Sequence, residues 1–258
     1  MLRGRTGACE TGSIELIGEE PLSIRIDDRP YVVVMRTPGE EVYQAAGFCL
    51  GEGIASSPDD FETMGYDEAL DPNVIDIWLK PERRLKIHDR LERRGFISQT
   101  SCGICGKAIL EDLEQNVTPA EDGFEISVEH VFECIDTLSV RQQHYETTRC
   151  SHAALIFDDR LEEISLAEDV GRHNALDKAI GKAFMDRTLA GSSIVVLSSR
   201  NSYELTQKAA RARLPVVISN SRPTALAVEM GKALNMTLAF PDESELVIVC
   251  GEHRIKRA

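Results

Sequence analysis

The residues best suited to chemistry are two thiols. Thr100-Ser101-Cys102-Gly103-Ile104-Cys105-Gly106-Lys107 places Cys102 and Cys105 three positions apart, between glycines, ahead of a helix predicted over Gly106–Gln115. A helix N-terminus and the nearby Lys107 would both favour thiolate over thiol. The glycines let the backbone swing or let a ligand come close. Four readings fit such a pair: half of a zinc site, a dithiol redox couple, a sulfur-carrying nucleophile, or two semi-buried cysteines without a role. Structural zinc is disfavoured, because no second Cys-x-x-Cys and no closely spaced His pair follows. The surrounding strand order does not look like that of a thioredoxin. A zinc deaminase needs His-x-Glu upstream of Pro-Cys-x-x-Cys. Here Ser101 stands in place of the proline and the one His-x-Glu, His144-Tyr145-Glu146, lies downstream.

A second group runs from Glu168 to Lys178, EDVGRHNALDK, at a predicted helix start. Free N–H groups there, with Arg172 and His173, could hold phosphate. The plainer reading is an amphipathic helix capped by Asp169 with a solvated polar face, and spacing alone favours it. A third group is Ser198-Ser199-Arg200-Asn201-Ser202, between a buried strand and a helix. Ser219-Asn220-Ser221-Arg222-Pro223 repeats that chemistry at the next strand end. Open α/β sheets bind ligands at the C-terminal ends of their strands; a plain strand-to-helix turn fits each loop equally well, and two such loops on one edge are more suggestive than either alone. His152, at a strand start, reads as a hydrogen-bonded structural histidine.

The elements that must position these groups follow from hydrophobic period. Strands are predicted over Pro21–Ile26, Tyr31–Met35, Val74–Leu79, Ser151–Phe157, Leu161–Leu166, Ile194–Leu197, Val216–Ser219, Thr237–Phe240 and Leu246–Cys250. Helices are predicted over Glu40–Ile54, Asp169–Phe184, Tyr203–Arg213 and Ala225–Asn235, and Val128–Ser139 reads as a helix or an extended connector. Strands alternating with short helices in the last third argue for a mixed α/β sheet flanked by helices. Residues 1–12 read as a flexible tail, 13–120 as an N-terminal region carrying the Cys-x-x-Cys loop, and 124–258 as an α/β domain after the linker-like 118–123. Residues 80–94 hold seven Lys/Arg against three acids, a local net of +4, and read as a solvated face or a patch for an anion.

Composition narrows the class. The 258 residues are 42% hydrophobic and 28% charged, enough for a sizeable core. A net charge of −14 repels polyanions and argues against general nucleic-acid binding. No apolar run is long enough to span a bilayer, and the N-terminus lacks the apolar stretch of a signal peptide. Seven cysteines, an odd number, are read as thiols of a cytoplasmic protein rather than as disulfides.

Taken together, the motifs resemble the FdhD family of formate dehydrogenase accessory sulfurtransferases. The likeness rests on TPGEEVYQAAGFCLGEGI at 37–54, TSCGICGK at 100–107, TTRCSHAA at 147–154, EDVGRHNALDKAIG at 168–181, SSRNSYELTQKAA at 198–210 and SRPTALAVEMGKALNMTL at 221–238. It implies a cytidine-deaminase-like C-terminal region without the deaminase zinc, and a homodimer. It implies that Cys102 takes sulfur from a cysteine desulfurase as a persulfide, with Cys105 as partner. The sulfur would pass to the molybdenum cofactor, bis-molybdopterin guanine dinucleotide, before insertion into formate dehydrogenase. Arg172, His173, Ser199, Arg200, Arg222 and Phe240 would hold that cofactor. Two departures stand out: Cys150 is an extra thiol before the strand histidine, and the acidic Asp242-Glu243-Ser244-Glu245 follows Phe240 where the family is glycine- and arginine-bearing. A non-catalytic cofactor chaperone and a thiol-redox protein are the alternatives.

Overall fold

The computed structural model describes residues 2–5, 8–65, 71–93 and 117–256. Cys102, Cys105 and the helix expected over Gly106–Gln115 lie outside them. Where a tail is expected over 1–12, β1 (Leu2–Arg5) and β2 (Ala8–Thr11) pair antiparallel.

A four-stranded sheet follows, built from β3 (Glu20–Ile26), β4 (Arg29–Arg36), β5 (Phe61–Gly65) and β6 (Val74–Leu79) in the order β4-β3-β6-β5. Asp27 and Asp28 turn β3 into β4 with φ of 49° and 64°. Two consecutive left-handed residues make the tight hairpin turn that matches strand twist, and Asp tolerates that region better than most side chains. Leu22, Ile24, Ile75 and Ile77 are buried on the inner face of this sheet. They pack in one cluster with the apolar residues of α1 (Glu41–Gly51).

The second sheet has six strands in the order β13-β12-β11-β10-β8-β9, flanked by the longer helices. The strands are β8 (His152–Asp158), β9 (Glu163–Asp169), β10 (Ser192–Arg200), β11 (Val216–Ser221), β12 (Thr237–Asp242) and β13 (Glu245–Cys250). β10, β11 and β12 run parallel, and the outer pairs are antiparallel, so the sheet is mixed. Alternate residues serve opposite faces, as strand geometry requires. Ala154, Ile156, Val195, Leu197 and Val217 join the cluster that holds the small sheet, α1, α5 (Arg172–Met185), α6 (Tyr203–Arg211) and α7 (Ala225–Ala233). Leu155, Phe157, Ile194, Val196 and Ile218 instead meet Val131, Cys134 and Leu138 of α3 (Val128–Arg141). Burial on both faces explains the continuous apolar runs of β8, β10 and β11. The shorter α4 (Gln143–Thr148) follows α3, and α2 (Pro81–Arg93) follows β6. A two-stranded pair, β7 (Ile126–Ser127) with β14 (Ile255–Lys256), closes the chain.

One crossing joins the two sheets. α1 and α5 meet at Gly47 and Gly181, where a Cβ on Gly47 would fall inside the Asp177 carbonyl and one on Gly181 inside the Tyr43 carbonyl. Only glycine permits backbones that close. The core cluster therefore draws on residues from both sides of the 118–123 stretch. That stretch is itself tied down. Ala120 N–H donates to Leu234 O at 2.9 Å, Asn235 Nδ2 donates to Ala120 O at 2.8 Å, and buried Arg254 donates to Glu121 O at 2.9 Å.

Two local expectations need correction. Arg83 and Arg84 do not simply face solvent. Arg83 donates to Ile54 O, Gly53 O and Ser56 Oγ at 2.7, 2.8 and 3.1 Å, and Arg84 to Asp27 Oδ1 at 2.6 Å. Asp169 does not cap α5. The cap position belongs to Gly171, with no side-chain cap bond, and Asp169 ends β9.

Candidate functional site

The motif EDVGRHNALDK splits into an inner and an outer set of side chains. The inner set is Asp169, Asn174, Asp177 and Lys178, all buried; Asp177 turns to α6, where Lys208 Nζ donates to its two oxygens at 2.7 and 2.9 Å, and the other three face the end of β4. Lys178 Nζ lies 2.7 Å from Asp169 Oδ2 and donates to Thr37 O at 2.7 Å. Thr37 N–H donates to the same Asp169 oxygen at 3.0 Å, and Val170 N–H donates to Thr37 Oγ1 at 3.0 Å. Asn174 Nδ2 donates to Met35 O at 2.6 Å and to Asp169 Oδ1 at 3.0 Å. Both Asp169 oxygens, Lys178 Nζ and Asn174 Nδ2 are engaged, so Asp169, Asn174 and Lys178 form a latch between the end of β4 and the β9–α5 junction. A fully bonded buried ion pair holds structure and offers nothing to a ligand.

The outer set opens α5. Arg172 is half-buried, and its Nε is buried without a hydrogen-bond partner. An orphaned buried donor carries a desolvation cost that an incoming acceptor would relieve. His173 Nε2 lies 2.8 Å from Glu204 Oε2 and 3.5 Å from Ser202 Oγ. Its hydrogen bond, above all, holds the Glu204 carboxyl below the usual range. His173 is therefore carboxylate-paired rather than a free cation. His152 opens β8 opposite Asp169 in the register. Burial chiefly, then the positive Arg172 and His173, push its pKa below the ordinary value against the pull of Asp169.

The strand ends supply the rest. A bulge in β10 separates the pairs Leu197↔Ser219 and Arg200↔Ser221, and bulges re-aim side chains next to functional sites. There Ser198 Oγ accepts from Ala153 N–H at 2.8 Å, while buried Ser199 turns its hydroxyl to Arg200 O at 3.0 Å. Arg200 is exposed. Asn201 is 1% exposed; its Oδ1 accepts from Thr206 Oγ1 at 3.2 Å and its carbonyl from Thr224 N–H at 3.0 Å, but Nδ2 has no partner. At the next strands Arg222 lies 5.9 Å over the ring of buried Phe240 and 3.6 Å from Asp242 Oδ2.

The structure thus places Arg172 and His173 after the C-terminal end of β9, and Ser199, Arg200, Arg222 and Phe240 at or near the C-terminal ends of β10, β11 and β12, along one edge of the sheet. They form two groups, Arg172–His173 and Arg222–Phe240, bridged by the Asn201–Thr224 hydrogen bond. Beside them a cleft of about 730 Å³ is lined by Ser151, His152, Ser198, Asn220, Tyr145 and Arg149. The arrangement can receive an anion with hydrogen-bond acceptors: an orphan guanidinium nitrogen, an orphan amide and an exposed arginine share the edge. Sequence reasoning assigns Glu204 no role, includes Asn201 only as one member of its strand-end loop, and reads His152 as structural. Glu204 stands inside the SSRNSYELT stretch, but nothing in its spacing signals His173 of α5 as its partner.

The described cysteines differ in character. Burial raises the thiol pKa of Cys49 and Cys250, and pushes that of Cys134 to about 11. Cys150 is exposed and unpaired. Three of these four are held as protonated thiols, poor nucleophiles. No described helix is long and apolar enough to cross a membrane.

Comparison with known proteins gives one consistent answer. The sequence profile of the FdhD/NarQ family matches residues 17–256. The sulfur carrier protein FdhD of Streptomyces avermitilis is 35% identical over 266 residues, covering 99% of this chain and 94% of its own. That of Mycobacterium tuberculosis is 38% identical over 232 residues, covering 85% and 83%. The crystal structure of a protein described as a formate dehydrogenase accessory protein, from Desulfotalea psychrophila, superposes with a TM-score of 0.78 at 19% identity, over 99% of this chain and 97% of that one. With a profile that spans nearly the whole sequence and relatives matched over most of their length, the chain belongs to the FdhD/NarQ family.

Proposed function

We propose that the protein is a sulfur carrier for a molybdopterin enzyme, loaded at Cys102 by a cysteine desulfurase and serving formate dehydrogenase. The observation that carries this reading is the TSCGICGK segment in a chain of this family. The Cys102 thiolate attacks the terminal sulfur of the desulfurase persulfide, and the desulfurase cysteine leaves as its thiolate. The electrons balance without an added oxidant. Attack by Cys105 on the Cys102 sulfur of the loaded persulfide would release sulfide and leave a Cys102–Cys105 disulfide, which a thiol reductant must then reopen. The protonated state of Cys49, Cys134 and Cys250 supports a nucleophile elsewhere in the chain.

The sulfur acceptor in this reading is bis-molybdopterin guanine dinucleotide, a substrate rather than a resident group. Its phosphates and guanines suit the strand-end edge. Arg172 and Arg200 would meet phosphate, the Asn201 amide an acceptor, and Arg222 on Phe240 a flat ring. Asp242 beside Arg222 restricts how much negative charge that end accepts.

The test is intact mass after incubation with a cysteine desulfurase and L-cysteine, for the wild type, Cys102→Ala and Cys105→Ala. A reductant-labile gain of one sulfur atom that vanishes in Cys102→Ala is expected. No gain on the wild type, with the desulfurase shown active on another acceptor, would replace the sulfur carrier by a cofactor chaperone.

A further inference from the structure

Four helices of the core end in the same way. The amide two residues past the C-cap bonds back into the last turn in each case: Ile54 to Cys49 O at 2.7 Å, Thr188 to Ala183 O at 2.9 Å, Leu214 to Ala209 O at 2.9 Å and Met236 to Gly231 O at 2.7 Å. Such an ending needs one left-handed residue, normally Gly and sometimes Asn. After α1 it is Gly53 (φ 68°) and after α7 it is Asn235 (φ 53°). After α5 and α6 it is Arg187 (φ 60°) and Arg213 (φ 58°). An arginine there sets Cβ against the following carbonyl and strains the backbone.

The two strained arginines line the same cleft, of about 760 Å³. Arg83, Lys86 and Arg211 line it as well, so five cations face one concavity in a chain of net charge −14. Leu50, Ile87 and Phe184 give it apolar walls. It is not the strand-end edge. Arg172 and Arg187 stand at opposite ends of the 14-residue α5, about 21 Å apart along its axis. Arg83 is held by the carbonyls of Gly53 and Ile54 and lies 3.5 Å from Asp60 Oδ2, and Arg187 is held by Asp59 at 2.7 and 3.1 Å. That last pair is largely exposed and exchangeable with solvent. Lys86 and Arg213 have no ion pair among the described residues.

We propose that this cleft binds a small molecule carrying a diphosphate. The guanidinium forks of Arg213 and Arg187 take the phosphate oxygens, and the apolar walls take the organic part when there is one. Ligand binding accounts for arginine at two positions where the backbone favours glycine.

Titration calorimetry on the full chain with inorganic pyrophosphate and, separately, adenosine diphosphate tests this. The proteins are the wild type, Arg213→Gly and Arg172→Ala, the last to separate binding at the strand-end edge. Binding that survives Arg172→Ala and weakens by about tenfold or more in Arg213→Gly is expected. The thermal midpoint of Arg213→Gly should not fall, because glycine relieves the strained turn. Arg213→Asn, also at ease in that conformation, is the second variant should glycine loosen the turn. Tighter binding of the nucleotide than of pyrophosphate would assign the site to a nucleoside diphosphate; equal binding would assign it to the diphosphate itself. No binding by the wild type, equal binding by Arg213→Gly and the wild type, or binding lost in Arg172→Ala instead would overturn the proposal.

Discussion

The inner and outer side chains of one motif behave as two different materials. Asp169, Asn174 and Lys178 are buried and hydrogen-bonded between β4, β9 and α5. Arg172 and His173, interleaved with them in sequence, are half-buried. One has an idle nitrogen and the other a single carboxylate partner. A motif dense in polar residues is thus not one site. Helical period sends every third or fourth residue inward, and the inward ones hold the fold while the outward ones are left for a ligand.

Substitutions can break that division. The largest effect belongs to the crossing that sets both faces. Gly181→Val should yield no soluble folded protein, a loss beyond about 4 kcal/mol, read by expression and circular dichroism. Lys178→Ala comes next, since it strands a buried carboxylate. Chemical denaturation should show a loss of about 3–5 kcal/mol. A combined Asp169→Asn/Lys178→Met change that is as damaging as Lys178→Ala would show that shape, not charge pairing, makes the latch. On the outer side, Arg172→Ala should leave the denaturation midpoint within about 0.5 kcal/mol of wild type while weakening guanosine diphosphate binding about tenfold. Arg200→Ala should do the same. Unchanged affinity in both would remove this edge from cofactor binding.

A smaller effect follows from His152. Its folded pKa is depressed, so on acidification the unfolded chain takes up a proton near 6.5 that the folded chain refuses. Stability should fall as pH drops through about 6.5 and level off below the folded value, and His152→Gln should flatten that slope. A slope unchanged in the variant would assign the titration to another group. The smallest effect is Cys150→Ser, which should leave sulfur loading by mass unaltered; a lost sulfur would move the nucleophile into β8's approach.

Most of the six-stranded sheet and much of the smaller one are legible in the sequence. Val74–Leu79 matches β6 end to end, and the apolar runs of β8, β10 and β11 sit where two-sided burial puts them. The position of the strand-end loops is legible too: Ser198–Ser202 and Ser219–Pro223 each stand between a buried strand and a helix, as the pattern predicts. What cannot be read from local pattern is the division of labour within EDVGRHNALDK. Asp169 looks like a helix cap, and its true partner, the Thr37 amide, is 132 positions away. Arg83 and Arg84 look solvated for the same reason, since the groups they hold belong to other elements. The strands within residues 1–12 escape notice because Leu2–Arg5 and Ala8–Thr11 carry little apolar alternation.

The glycine crossing also has a consequence in time. Tyr43 and Gly47 leave the ribosome long before their partners Asp177 and Gly181 exist. At about 5–20 residues per second, the more than 130 residues between Thr37 and Asp169 take roughly 7–26 s to make. For that interval α1 has only the small sheet to lie on, and its other face waits in water for a helix still being synthesised.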